Sequence, residues 1–395
     1  MKPLISLLFL IVLGWLPGNA QITTDESIRI SILTCAPGDQ LYSIYGHNAI
    51  RIIDSKKGTD LVYNYGTFDF NTPGFAVKFM RGKLPYVLSI ADYYDFIDEY
   101  NYYKRAVTEQ VLYFDPVQQQ KIMHYLSVNM LPENRAYKYD FFMDNCATRI
   151  RDIIDKNVSN FKWDETKASG KTFRQIIKEY QKGLPWTNFG IDLIIGAPAD
   201  RKTTLSEEAF IPDYLSSALK YARYKDPRQT ALQFRKIDTL TFQAKTTTNN
   251  FLLSPWLVFI ILLLIEINIY FRYLKGSVNK WIQKYDTLWL VILTFSSVLM
   301  LFMWFGTDHI PTKYNWNILW ANPLMPLWWW MHKKGNANST WMAYFIAACI
   351  VISIVNAIPG CGFLPQFFHP LVIIIGFIML IKGVRLQNSM VRKNA

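Results

Sequence analysis

The uneven spread of apolar residues limits the fold of this chain most. Residues 251–385 are mostly long apolar runs, whereas residues 21–250 read as a mixed globular sequence. A helix needs about 20 largely apolar residues to cross the hydrocarbon core of a bilayer. The runs 251–271, 287–306 and 341–358 meet that length, the first despite Glu266, and 367–381 meets it when counted from Leu364. The run 316–331 is weaker: Asn322, Pro323 and Pro326 interrupt it, so it reads as a broken span or a re-entrant segment. Composition agrees, since the 395 residues are 51% hydrophobic and 18% charged. That is too apolar for an ordinary soluble enzyme and too charged for a bare membrane bundle. The expectation is an α+β exported domain over 21–250, then an all-α, multi-span membrane domain of about five helices over 251–395.

The first twenty residues carry one Lys, an apolar stretch and then Gly18-Asn19-Ala20. This is the pattern of a secretory signal peptide cut after Ala20, which places residue 21 onward outside the cytoplasm. The net charge of +12 raises the question of nucleic acid. Topology gives a simpler account. With five spans, Arg272, Lys275, Lys280 and Lys284 fall in one cytoplasmic loop and Lys333 and Lys334 in a second. Lys382, Arg385, Arg392 and Lys393 fall at the end of the chain, while the outside loops hold only Lys313. Much of the basic excess therefore orients the membrane domain, and no nucleic-acid partner is expected. One outside loop, 305–317, gathers Asp308, His309, Asn315 and Asn317 near the membrane surface. It reads either as a polar helix connection or as part of a binding site for a lipid substrate.

There are four cysteines, Cys35, Cys146, Cys349 and Cys361, too few and too scattered for a disulfide framework. None pairs at metal-binding spacing, so no structural metal is expected. Cys146 stands out. Asp144 and Asn145 are favourable N-cap residues, and Ile150, Ile153 and Ile154 continue as a helix face. A thiol in the first helical turn feels the positive helix end, which favours its thiolate, and Arg149 and Arg151 add charge nearby. Such a thiolate needs a base to serve in acyl transfer. The exported half offers two histidines. His47 opens a strand that hairpins through the turn 55–60 into 61–70, whereas His124 lies inside an amphipathic helix and reads as structural. The bland alternative for Cys146 is a small buried apolar residue. Cys35, ahead of a Pro-Gly turn, reads as core or as a disulfide partner of Cys146.

The stretches "TCAPGDQLYSIYGHNAIRIID", "YNYGTFDF" and "DFFMDNCATRIRD" resemble the exported domain of the Lnb-type lipoprotein N-acyltransferases, closely over 34–152. A looser resemblance continues through the membrane half, at 307–324. The wider similarity is to permuted papain-like thiol enzymes of the NlpC and lecithin:retinol acyltransferase kind. The resemblance implies a permuted papain-like fold, no cofactor and a location in the bacterial inner membrane. It implies an acyltransferase in which Cys146 takes an acyl chain from a phospholipid or diacylglyceryl ester and passes it to the N-terminal cysteine amine of a lipoprotein, with His47 as base. The third, orienting group is open between Asp69 and Asn64. A register that sets residue 47 opposite 68 favours Asp69. Two other functions share these features: a membrane-tethered peptidoglycan peptidase or amidase, and an exported sensor domain without catalysis.

Overall fold

The computed structural model describes residues 27–159, 161–224, 234–241, 254–277 and 280–394. The expected signal peptide lies outside them. In the exported half, seven strands make one antiparallel sheet. These are β1 (Ile28–Cys35), β2 (His47–Asp54), β3 (Thr59–Thr67), β4 (Pro85–Asp92), β5 (Val107–Leu112), β6 (Ala136–Lys138) and, after the short pair β7 (Phe161–Lys162) and β8 (Arg223–Tyr224), β9 (Phe234–Leu240). The sheet order is β6-β4-β3-β2-β1-β5-β9. Alternation along the strands sends Ile30, Ile32, Ile50 and Ile52 to one face, where they meet Ile150, Ile153 and Ile154 of helix α4 (Cys146–Asn157). Leu33, Ala49 and Val62 go to the other face, under Phe96 and Tyr100 of helix α2 (Tyr93–Tyr102). The segment 68–84 holds a short helix, α1 (Phe75–Met80). Helix α3 (Pro116–Asn129) starts with Asp115 in a capping box and Pro116 in the first turn. Its His124 is exposed, so the structural role expected for it is corrected: the apolar stripe runs through Ile122 and Leu126 instead.

Helices α5 (Phe173–Tyr180), α6 (Pro185–Ile194), α7 (Leu205–Glu208) and α8 (Pro212–Tyr221) follow α4, and the membrane half contains α9 (Pro255–Leu274), α10 (Lys280–Phe305), α11 (Met325–Lys333), α12 (Asn338–Ala357) and α13 (Leu371–Asn394). Among the described residues, four of these are long and apolar enough to cross a membrane. The exception is α11, whose nine residues rise only about 14 Å. Before it, the chain turns at Trp316–Leu319 and again where Asn322 Oδ1 accepts the Leu324 N–H. The stretch 316–333 is thus a broken pass. It leads from the loop touching the exported domain to the opposite end, where Gln387 of α13 donates to Thr340 of α12. Near that end, Glu266, Asp286, Lys382 and Arg385 form a buried, charge-balanced cluster, with Lys382 Nζ 2.8 Å from Glu266 and 2.7 Å from Asp286. The pairing makes four ionised groups tolerable where a lone charge is expensive.

The two halves are joined by side-chain amides. Helix α6 (Pro185–Ile194) ends against the outside loop, where Asn315 Nδ2 donates to the carbonyls of Leu193 (2.7 Å) and Ile194 (2.9 Å). Asn317 Nδ2 donates to Asp192 and Leu193, and Gln366 Nε2 to Asn315 Oδ1. These amides satisfy carbonyls that a helix leaves unpaired at its last turn. The Gly196 N–H donates to Pro311, and a side chain at Gly196 would meet the Lys313 carbonyl oxygen at 1.9 Å, so only glycine fits. Arg174 locks the same corner from below, with Asp192 at 3.0 Å and Asp200 at 2.7 Å.

Candidate active site

Cys146 is the first residue of α4 and is half-buried. The helix is started by Asn145, whose Oδ1 accepts from the N–H groups of Ala147 (2.8 Å) and Thr148 (2.9 Å), while Thr148 Oγ1 accepts from the Asn145 N–H at 2.7 Å. The Asn145 amide also donates to the carbonyls of Phe141 and Phe210. The residue before the thiol is therefore fixed on every side. Asp144 is not the cap: it pairs with Arg149, with Nη2 2.7 Å from Oδ2. Arg151 in turn binds Asp152 and the Ser206 carbonyl. Both arginines expected to bias the thiol electrostatically are engaged with carboxylates.

His47 opens β2 and lies beside the Cys146 thiol, near enough for its charge and ring nitrogen to act on the sulfur. Its other contact is Asn64 Oδ1, 2.6 Å from Nε2. An amide oxygen can only accept, so Nε2 carries a proton and Nδ1 is left for the sulfur. Burial alone would raise the thiol pKa. The charge and hydrogen bond of His47, with the N–H groups of Asn48 and Ala147, outweigh burial and hold it below its ordinary value. For His47 burial works downward, and the Cys146 thiolate and Asn64 more than offset it, so its pKa lies above normal. Both shifts move the pair toward thiolate and imidazolium, the direction that activates a thiol nucleophile.

Asp69, first choice for the orienting group, does not reach this site. The pairing Ile50↔Tyr63 puts Gly66, not residue 68, opposite His47, two residues from the expected register. Asp69 is left exposed in the turn beyond β3, accepting from the Asn71 N–H. Gly66 closes the site: a Cβ there would lie 3.8 Å from both Cys146 Cβ and His47 Cε1. Cys35 is the Cα partner of His47 across β1 and β2, but it is buried under Tyr100 and free, with burial pushing its thiol up to about 12. It is not bridged to Cys146, because it packs in the core on the α2 side of the sheet.

The outside loop divides in two. Asn315 and Asn317 are buried and bonded to α6 carbonyls, so they face no substrate. Asp308 and His309 lie at the rim. The Asp308 N–H donates to the Arg81 carbonyl, its carboxylate lies 3.7 Å from Lys138, and His309 Nε2 is 3.1 Å from the Phe79 carbonyl. The next N–H, of Ile310, donates to Asp140. Asp140 forms a β-bridge with Asp144 just before the thiol. The loop thus props the segment that presents Cys146. Three site residues were not picked out from the sequence. Asn48 directs its N–H at the sulfur, and its buried amide is held by Thr34 and the Leu33 carbonyl. Gly66 and Tyr137 are the others; the Tyr137 hydroxyl lies 4.0 Å from the position of a Gly66 Cβ. For Asn48 and Gly66 the "YGHN" and "YNYG" stretches held the signal, polar or small residues beside strand-forming aromatics; Tyr137 lies in neither. Among the described residues no group of three or more His, Cys, Asp and Glu is placed to hold a metal ion.

The chain was compared with known proteins. No curated protein and no solved structure matches it. Residues 20–180 match the family model described as the Lnb N-terminal periplasmic domain, and residues 246–394 match the Lnb transmembrane domain. The first match contains the His47–Asn64–Cys146 constellation and the second contains all five membrane-half helices, so the chain belongs to the Lnb family, with a periplasmic N-terminal domain and a membrane C-terminal domain.

Proposed function

We propose that this protein is a lipoprotein N-acyltransferase of the bacterial inner membrane, working through a Cys146 thioester. The observation that carries the reading is the Cys146–His47–Asn64 arrangement at a capped helix start, beside the outer end of a membrane domain. Cys–His–Asn is the order of roles in papain-like thiol enzymes, which supports a permuted papain-like reading of the α+β domain.

The Cys146 thiolate attacks the ester carbonyl of a phospholipid or diacylglyceryl lipid, forming the C–S bond. Charge on the carbonyl oxygen is met by the Cys146 N–H, which like any first-turn N–H has no acceptor inside its own helix. The C–O bond breaks, His47 gives its Nδ1 proton to the departing alcohol, and the acyl group stays on sulfur. The α-amine of a lipoprotein's N-terminal cysteine then attacks the thioester. His47 accepts the amine proton as the new amide forms, and the thiolate leaves. Asn64 holds the imidazole in the one tautomer that serves both steps. Location explains the rest of the chain: ester and acceptor both lie at the outer membrane face, and apolar surroundings protect the thioester from water.

The test is mass spectrometry of a lipoprotein's N-terminal peptide from cells with and without the protein. Gain of one amide-linked acyl chain only when the protein is present is expected. Altered muropeptides with unchanged lipoproteins would instead assign the thiol to a peptidoglycan amidase.

A further inference from the structure

The segment between β3 and β4 exposes an unusual amount of apolar surface. Phe70 is 64% exposed, Val77 55% and Phe79 52%, although they sit in a well-formed helix and turn. Exposed apolar patches of this kind mark interaction sites. Its position indicates what covers this one. The Phe79 carbonyl and the Arg81 carbonyl are bonded to His309 and Asp308, directly after α10 leaves the membrane layer. The patch is thus continuous with the outer end of the spanning helices. Lys78, Arg81 and Lys83 lie in the same stretch, where lipid phosphates would be.

The exposed rings also connect inward. Phe79 and Phe75 are 6.1 Å apart between centroids, Phe75 and Phe68 5.9 Å, and Phe68 and Tyr86 5.2 Å. Tyr86 then lies 6.3 Å from Tyr137, whose hydroxyl borders the Gly66 gap beside Cys146. Ring-to-ring contacts therefore run from exposed Phe79 through half-buried Phe75 and Phe68 to Tyr86 and Tyr137, which are buried beside the thiol. We propose that α1 lies in the outer leaflet and that the Phe79–Phe75–Phe68–Tyr86 row receives the acyl chain of the donor lipid. This rests on the lipid-ester reading of Cys146.

The experiment uses the full-length protein in phosphatidylethanolamine nanodiscs. Benzoylphenylalanine replaces Phe70, Phe79 or, as a control, Tyr94, which is exposed in the first turn of α2, past the far end of β4 and about 20 Å or more away. After irradiation, lipid adducts are expected at 70 and 79 and not at 94. Equal adducts at all three positions, or none at 79, would overturn the proposal. In a second arm, Phe70→Asp/Phe79→Asp is expected to slow acyl-Cys146 formation at least tenfold with unchanged thermal melting. An unchanged rate would also overturn the track. Lipid adducts at 79 without any acyl-Cys146 in the unaltered protein would sink the acyl-transfer reading while leaving the lipid surface in place.

Discussion

Asn64 Oδ1 sits 2.6 Å from His47 Nε2, and this contact fixes which ring nitrogen faces the thiol. Removing it frees the imidazole to rotate and to change tautomer. Asn64→Ala is expected to lower acyl transfer by about a hundredfold, within the range of general acid–base effects. Asn64→Asp keeps an acceptor and should recover a large part of that loss. Asp69→Ala should leave activity intact, since that carboxylate only caps its own turn. Initial rates on one lipid donor compare the three; equal losses for Asn64→Ala and Asp69→Ala would contradict the assignment.

The thiol should be reactive at unusually low pH. The Cys146 pKa is held below normal against the opposing effect of burial, chiefly by His47, and the His47 pKa is raised above normal against burial, chiefly by the thiolate. The lowered thiol pKa extends the thiolate to lower pH, and it is lost as sulfur is protonated; the raised imidazole pKa extends the imidazolium to higher pH, and it is lost as the ring is deprotonated. Iodoacetamide labelling of Cys146 should inflect below the range of a free cysteine, the inflection belonging to the pair. His47→Ala removes the dominant favourable influence and moves the inflection upward. Cys146→Ala should abolish transfer with membrane insertion intact.

His309 and His47 should differ in degree. His309 holds the Phe79 carbonyl at the rim, so His309→Ala should give a graded loss, about tenfold or less, as expected for one hydrogen bond. His47→Ala should give a nearly complete one. Trapping the acyl-Cys146 intermediate separates them: some should accumulate in the His309 variant and essentially none in the His47 variant.

The buried charges make a stability prediction. Asp286→Ala leaves Lys382 and Arg385 with Glu266 alone, at an expected cost of about 3–5 kcal/mol. The readout is thermal melting in detergent. A melting point within a degree of the parent protein would show the cluster to be dispensable.

Orientation can be read with a native residue. Cys361 is exposed between α12 and α13, at the end that meets the exported domain. In a Cys146→Ala background an impermeant maleimide should label Cys361 in intact spheroplasts. A cysteine introduced at Ser277, exposed after α9, should react only after permeabilisation. The reverse pattern would invert the five-pass arrangement.

How much of this could be read from sequence depended on the range of the interactions. The capped start of α4, the Asp115–Pro116 start of α3 and the long apolar helices are local patterns, and the residues that build them lie within a turn or two of each other. The choice between Asn64 and Asp69 required register. A shift of two residues keeps every side chain on the same face of the sheet, so hydrophobic alternation cannot detect it. Arg149 reads as available from sequence because its partner, Asp144, also suits a cap. Asn315 and Asn317 read from sequence as available to a lipid substrate because the carbonyls they bind belong to α6, more than a hundred residues away. The break at 316–331 was visible in its prolines, whereas its course through the layer required α12 and α13 to be in place.

The amide joints between α6 and the outside loop have a consequence for how the protein samples its substrates. A domain held only by its covalent connection would search a volume set by that connection, at an effective concentration that falls as it lengthens. Asn315, Asn317 and Gln366 instead fix the thiol at one height relative to α10 and α13. If the proposed lipid chemistry holds, the protein would work as a ruler standing on the bilayer. On the acyl-transfer reading it would accept esters at a set elevation and pass over the same bond a few ångströms deeper. Residues inserted after 241 should therefore change little, whereas a one-residue shift within 311–317 should move the graduation itself.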